Sequence, residues 1–160
     1  MSGNKLSLYL INVLVVMLIL PVVSITVECL AHSSILGWAL IGKWFVFWAI
    51  GVRLFTAGIR QVAKPAFTAQ EIFHINNQES FVIVKELGFA NICMGLVGIL
   101  SLYSIEWCHL AAIGGGLYFG LAGLQHVIKK PVSTNETIAL VSDLLMFGLM
   151  VVYLIFTLII

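Results

Sequence analysis

Five long apolar runs, separated by short polar breaks, set the pattern of this chain. They cover about 6–30, 35–61, 78–104, 108–128 and 136–160. About 20 apolar residues in a helix span a bilayer core. The pattern therefore predicts an all-α polytopic membrane helix bundle with five transmembrane helices. A four-span bundle is the alternative. Residues 1–160 read as a single transmembrane domain.

The breaks carry the local signals. Ala31–Ser34 is a tight connection. Lys64-Pro65 ends the second helix, because the residue before proline avoids the helical region. Ala66–Gln78 is the sizeable polar stretch. Thr68 and Glu71 have capping-box spacing there, so 69–75 reads as one or two interfacial turns or as a plain loop. Ile105–Trp107 forms a turn, Lys129-Lys130-Pro131 a stop, and Thr134 or Asn135 the cap of the last helix. Pro21 sits mid-span, where neighbours can satisfy the carbonyl it frees. The first run exceeds the apolar core of a signal peptide, about 7–15 residues, and is expected to stay as a span.

Small residues mark helix contacts. Gly88, Asn91, Gly95 and Gly98 form one stripe on the third helix. Ala112, Gly116, Gly120 and Gly123 form another on the fourth. Small stripes let helices approach closely, so the two are expected to pack against each other. No internal repeat of the inverted transporter kind is visible.

Charge fixes an orientation. Lys5, Arg60, Lys64, Lys129 and Lys130 all fall at one end of a five-span bundle. The opposite turns hold Glu106 and neither Lys nor Arg. The positive-inside rule then predicts a cytoplasmic N-terminus and an outside C-terminus.

Orientation converts offsets into depth. At about 1.5 Å per residue, Arg53, Glu86 and Asp143 all lie roughly 9–12 Å from the inner ends of their helices. Asn91 lies deeper, while Lys85 and His126 lie nearer the rim. Charges inside a span are costly and face partners, protein or water. Arg53, Glu86 and Asp143 are thus expected to meet, with Asn91, Lys85 and His126 around them. The group is either an ion-pair network that fixes helix register or an ion, proton or substrate path. At the outer side, Glu28 and Lys43 belong to one hairpin and are expected to pair.

Composition sharpens the class. The chain is 61% hydrophobic and 9% charged, against about 25% charged in soluble domains. The expected partners are the lipid bilayer and either a second copy or another membrane protein. A net charge of +1 gives no basis for nucleic-acid binding. Cys29, His32, Cys108 and His109 fall at the outer helix ends and are weak metal candidates. A Cys29–Cys108 disulfide is a second option, and unpaired thiols are the favoured reading. Cys93 reads as packing. None of the four histidines lies mid-span, so haem is not expected, and no cofactor is predicted. No P-loop, GxGxxG, HExxH or Ser-His-Asp order is present, which argues against a familiar enzyme mechanism.

Arg53-Leu54-Phe55-Thr56-Ala57-Gly58-Ile59-Arg60-Gln61, Lys64-Pro65 and Glu86-Leu87-Gly88-Phe89-Ala90-Asn91 resemble an uncharacterised family of small prokaryotic multi-pass membrane proteins. The resemblance implies an inner-membrane location and no particular activity or ligand. A vaguer likeness to DoxX-like proteins lies in size and glycine usage. Three functions remain in play: a small transporter or channel, a non-catalytic membrane partner or assembly factor, and a redox or metal protein using the outer Cys/His group.

Overall fold

The computed structural model describes residues 8–32, 36–131 and 133–159. Among the described residues, five helices are long and apolar enough to cross a membrane. They are α1 (Tyr9–Ala31), α2 (Trp38–Ala63), α3 (Ser80–Tyr103), α4 (Ile105–Lys129) and α5 (Thr134–Leu158). The described residues hold no strand. The fold is the predicted polytopic helix bundle. One end of it, here the basic end, carries Arg60, Lys64 and Lys129. The C-terminal end of α1, the N-terminal end of α2 and the α3–α4 turn lie at the far end.

Helix α2 is central and touches the other four spans. Its residues Phe45, Val46, Ala49, Ile50 and Leu54 are buried against Met17 of α1, Phe119 of α4 and Met146, Met150 and Tyr153 of α5. These side chains fill the far half of the bundle. The basic half is less tightly filled.

Two spans contain widened turns. In α1 the turn Val15–Ile19 precedes buried Pro21, and the Leu20 N–H reaches back to the Val15 carbonyl. Proline cannot donate, and its ring crowds the carbonyl four residues earlier, so the helix opens just upstream. In α2 the widened turn covers Val46–Val52 and ends where Arg53 begins.

The two small-residue stripes do not meet. Each takes a different neighbour. The α3 stripe lies against α2, where Gly51 and Gly58 provide a matching groove. A Cβ on Gly98 would lie 2.6 Å from the Gly51 Cα, and one on Gly88 2.9 Å from the Gly58 carbonyl oxygen. The α4 stripe faces α5, whose larger side chains Leu144, Phe147 and Met150 fill it at Gly123, Gly120 and Gly116. One pair thus packs backbone against backbone, and the other knob into groove.

Helix ends differ slightly from the sequence reading. Ser133, one residue before Thr134, caps α5 by accepting a hydrogen bond from the Glu136 N–H at 3.2 Å. Helix α4 starts at Ile105, with Ser104 as its extended cap, so the 105–107 turn is already helical. The connection after α2 is helical over 65–72. It starts at Pro65 rather than Thr68, since proline at a first helical position gives up no bond. Helix α3 starts at Ser80, after a turn in which the Asn77 side chain accepts from the Glu79 N–H.

Candidate functional site

A cavity of about 720 Å³ occupies the basic half, walled by all five spans and the 65–72 connection. Its floor is polar. Arg53, Asn91 and Asp143 line it, and at about 1.5 Å per residue they lie roughly 13–17 Å inside their helices. Arg60, Lys129 and Glu136 line it nearer the end of the bundle. Phe67, Phe73, Tyr118 and Phe119 give it aromatic walls.

Two polar pairs hold the floor. Arg53 Nη2 donates to Asp143 Oδ1 at 3.0 Å and to Ser142 Oγ at 3.2 Å. The two charged side chains are only 13% and 9% exposed. The fork is used on one side alone: Arg53 Nη1 is buried without a hydrogen-bond partner, and the guanidinium sits 4.9 Å from the Phe119 ring centre. The ring face returns part of what the missing bond costs. One turn along, Asn91 Nδ2 donates to Gln61 Oε1 at 2.8 Å, with both residues buried. Tyr9 interacts with Arg53, and Tyr118 with Asn91. His126 lines the wall.

The predicted network is therefore partly assembled. Arg53, Asp143 and Asn91 come together, with His126 beside them. Glu86 and Lys85 do not join. Both are exposed, Glu86 on the face of α3 turned away from α2 and Lys85 on its flank. Gly88 and Asn91 define the face that α2 occupies, and Glu86 stands two residues before Gly88, about 200° around the helix. Its depth differs too: Gly88 packs against Gln61 and Val62 at the end of α2, so Glu86 lies well short of the level of Arg53.

Several cavity residues carry no strong sequence signal. Gln61 reads as part of a helix end, and Tyr9 as an interfacial aromatic. Glu136 is 5% exposed although it sits in a first helical turn, and His74 Nε2 approaches its carboxylate at 3.4 Å. His74 reaches it from a left-handed backbone position, φ 55°. The Arg60 guanidinium stacks 3.8 Å from the Phe67 ring centre and so ties the connection to the cavity mouth.

At the far end, Lys43 Nζ donates to both oxygens of Glu28, at 2.9 and 2.7 Å, and Trp44 Nε1 donates to the same carboxylate at 2.7 Å. Trp48, deep for an interfacial tryptophan, donates to Ser24 Oγ at 2.9 Å. Cys108 is buried, and its sulfur accepts from the Tyr153 hydroxyl at 3.2 Å. His109 packs near the same ring, with a buried Nε2 that has no hydrogen-bond partner. Cys29, Cys93 and Cys108 are all free thiols. The His32 side chain lies outside the described residues. Among the described residues, no group of three or more His, Cys, Asp or Glu could hold a metal ion.

Fold and cavity together define a small multi-pass membrane protein with a polar floor at mid-depth. Residues 11–160 match the family model described as a family of unknown function, DUF6790. The chain belongs to that family. The match carries no link to DoxX-like proteins. No curated protein and no solved structure matches the chain.

Proposed function

We propose that the chain acts as a single transmembrane domain that carries a small polar solute or ion, and that the cavity is its binding chamber, open toward the cytoplasm. One observation supports this most: the cavity passes the Gln61–Asn91 pair and reaches the Arg53–Asp143 pair deep inside the bundle. Polar groups at that depth are costly to keep and usually serve a path or a site. The packed far half, centred on Ile50, Met150 and Tyr153, argues for a gated carrier over an open pore. Discontinuous or widened helices are common where transporters bind substrate, and the widened turn before Arg53 fits that pattern.

Ala122 lines the cavity and gives a direct test. In a chain with Cys29, Cys93 and Cys108 changed to Ala, Ala122→Cys should react with a membrane-impermeant maleimide from the cytoplasmic side. Labelling from the outside alone, or none, would sink the reading. Flux of protons, alkali cations, halides and small carboxylates in proteoliposomes is the matching functional test. Loss of one flux in a folded Arg53→Leu/Asp143→Leu variant is expected. Absence of every flux favours the membrane-partner function instead.

The orientation in a bacterial or archaeal inner membrane is part of this proposal. Reporter fusions after Lys64 and Lys130 should score as cytoplasmic, and one after Ile160 as external. A cytoplasmic signal from the last fusion overturns the orientation.

A further inference from the structure

The face of α3 turned away from α2 has an order that lipid alone does not require. Val82, Glu86, Phe89, Cys93 and Leu96 recur at alternating steps of four and three residues. All five are exposed. Alternation of this kind makes a straight seam along one side of a helix, the seam that a second helix packs into. Within the chain the seam is unused, since α2 occupies the opposite face through Gly88, Gly95 and Gly98. Its one charged residue, Glu86, is preceded directly by Lys85, also exposed. Neighbours in sequence do not face each other on a helix, so these two cannot neutralise each other well. Among the described residues the ion pairs are Lys43–Glu28, Arg53–Asp143 and His74–Glu136, and neither Lys85 nor Glu86 takes part.

We propose that this seam is the interface of a two-fold symmetric dimer, in which Lys85 of each copy pairs with Glu86 of the other. The argument is charge complementarity at one depth. Two copies inserted in the same orientation are related by an axis along the membrane normal, so like positions come opposite each other. The residue just before a seam position lines the hole that receives the facing knob. Each Glu86 then meets the opposite Lys85, and the four charges sum to zero. A second copy of this chain supplies that match by construction. The flanking Val82 and Phe89, 62% and 53% exposed, close over the charged layer and keep it dry. Cys93, two turns further in, comes opposite its own counterpart.

Cys93 is a free, exposed thiol, which makes the interface testable in native membranes. Mild oxidation with copper phenanthroline should give a species of twice the chain's mass, and Cys93→Ala should abolish it. Lys85→Glu and Glu86→Lys should each lower the cross-linked fraction about tenfold, the change expected for a weakened close charge pair. The swap Lys85→Glu/Glu86→Lys should restore it. A structural defect would not be repaired by a second charge reversal. Light scattering of the purified wild-type chain in mild detergent should give a dimer mass. A monomer there, a Cys93 adduct of some other mass, or a swap that fails to restore cross-linking each overturns the proposal. None of these outcomes depends on whether the cavity carries a solute.

Discussion

Replacing Arg53 by leucine is expected to destabilise the protein more than replacing Arg53 and Asp143 together. The single change leaves the Asp143 carboxylate buried beside Ser142 without its cation, 3.0 Å from where the guanidinium stood. Removing one partner of a buried pair typically costs about 3–5 kcal/mol, while replacing both by apolar groups is often close to neutral. At about 2–4 °C per kcal/mol for a chain of this size, Arg53→Leu should lower the melting temperature in detergent by roughly 6–20 °C. The double variant should recover most of that. Adding Glu86→Leu should leave the coupling between Arg53 and Asp143 unchanged, because Glu86 lies on the other face of α3. Residues in contact show coupling energies of about 0.5–3 kcal/mol, and separated ones add. Losses that simply add for Arg53 and Asp143 would show that the pair is not a unit.

The contrast between Asp143 and Glu86 marks where the sequence was legible. Span number and approximate ends followed from the apolar runs, since bilayer thickness leaves few alternatives. Depth followed only in part. Arg53 and Asp143 do meet, but Gly95 packs at Phe55 and Gly88 at Gln61, so Asn91 lies about a turn nearer the basic end than Arg53, not deeper, and Glu86 nearer still. Facing did not follow. A residue's azimuth matters only relative to a neighbour, and neighbours are set by packing that a single chain's pattern underdetermines. The glycine stripes show the same limit. Each was legible as a close-contact face, but consecutive helices are only one of the pairings open to them. Helix α2 won the α3 stripe because Gly51 and Gly58 make it the matching smooth partner. Those two glycines stand seven residues apart in the sequence and were the available signal. Gln61 and Tyr9 are harder cases. Both are common at helix ends, and only the cavity between the helices gives them a role.

Helix α2 against α3 also sets the second large effect, at Gly95. A Cβ placed there would press on the backbone N and Cα of Phe55 and lie 2.8 Å from the Gly51 carbonyl oxygen. Backbone cannot rotate away as a side chain can, so the whole of α2 would have to move. That helix carries Arg53 and Gln61, so the movement would also pull both floor pairs apart. Overpacking in a close-packed interior costs about 1–3 kcal/mol, and more where neighbours cannot yield. Gly95→Leu should therefore fall at or above the top of that range and disturb the cavity as well. Gly120→Leu meets the Phe147 ring instead, a side chain with room to turn, and should cost less. Gly114 has nothing within 4 Å of an added Cβ, so Gly114→Leu is the matched control in the same kind of environment. The expected order of melting temperatures in detergent is Gly114→Leu near wild type, then Gly120→Leu, then Gly95→Leu. Ala122→Cys labelling in the Gly95→Leu background should change rate as the cavity deforms. If Gly95→Leu melts with Gly114→Leu, then α2 and α3 are not in backbone contact, and the floor of the cavity is not held by them.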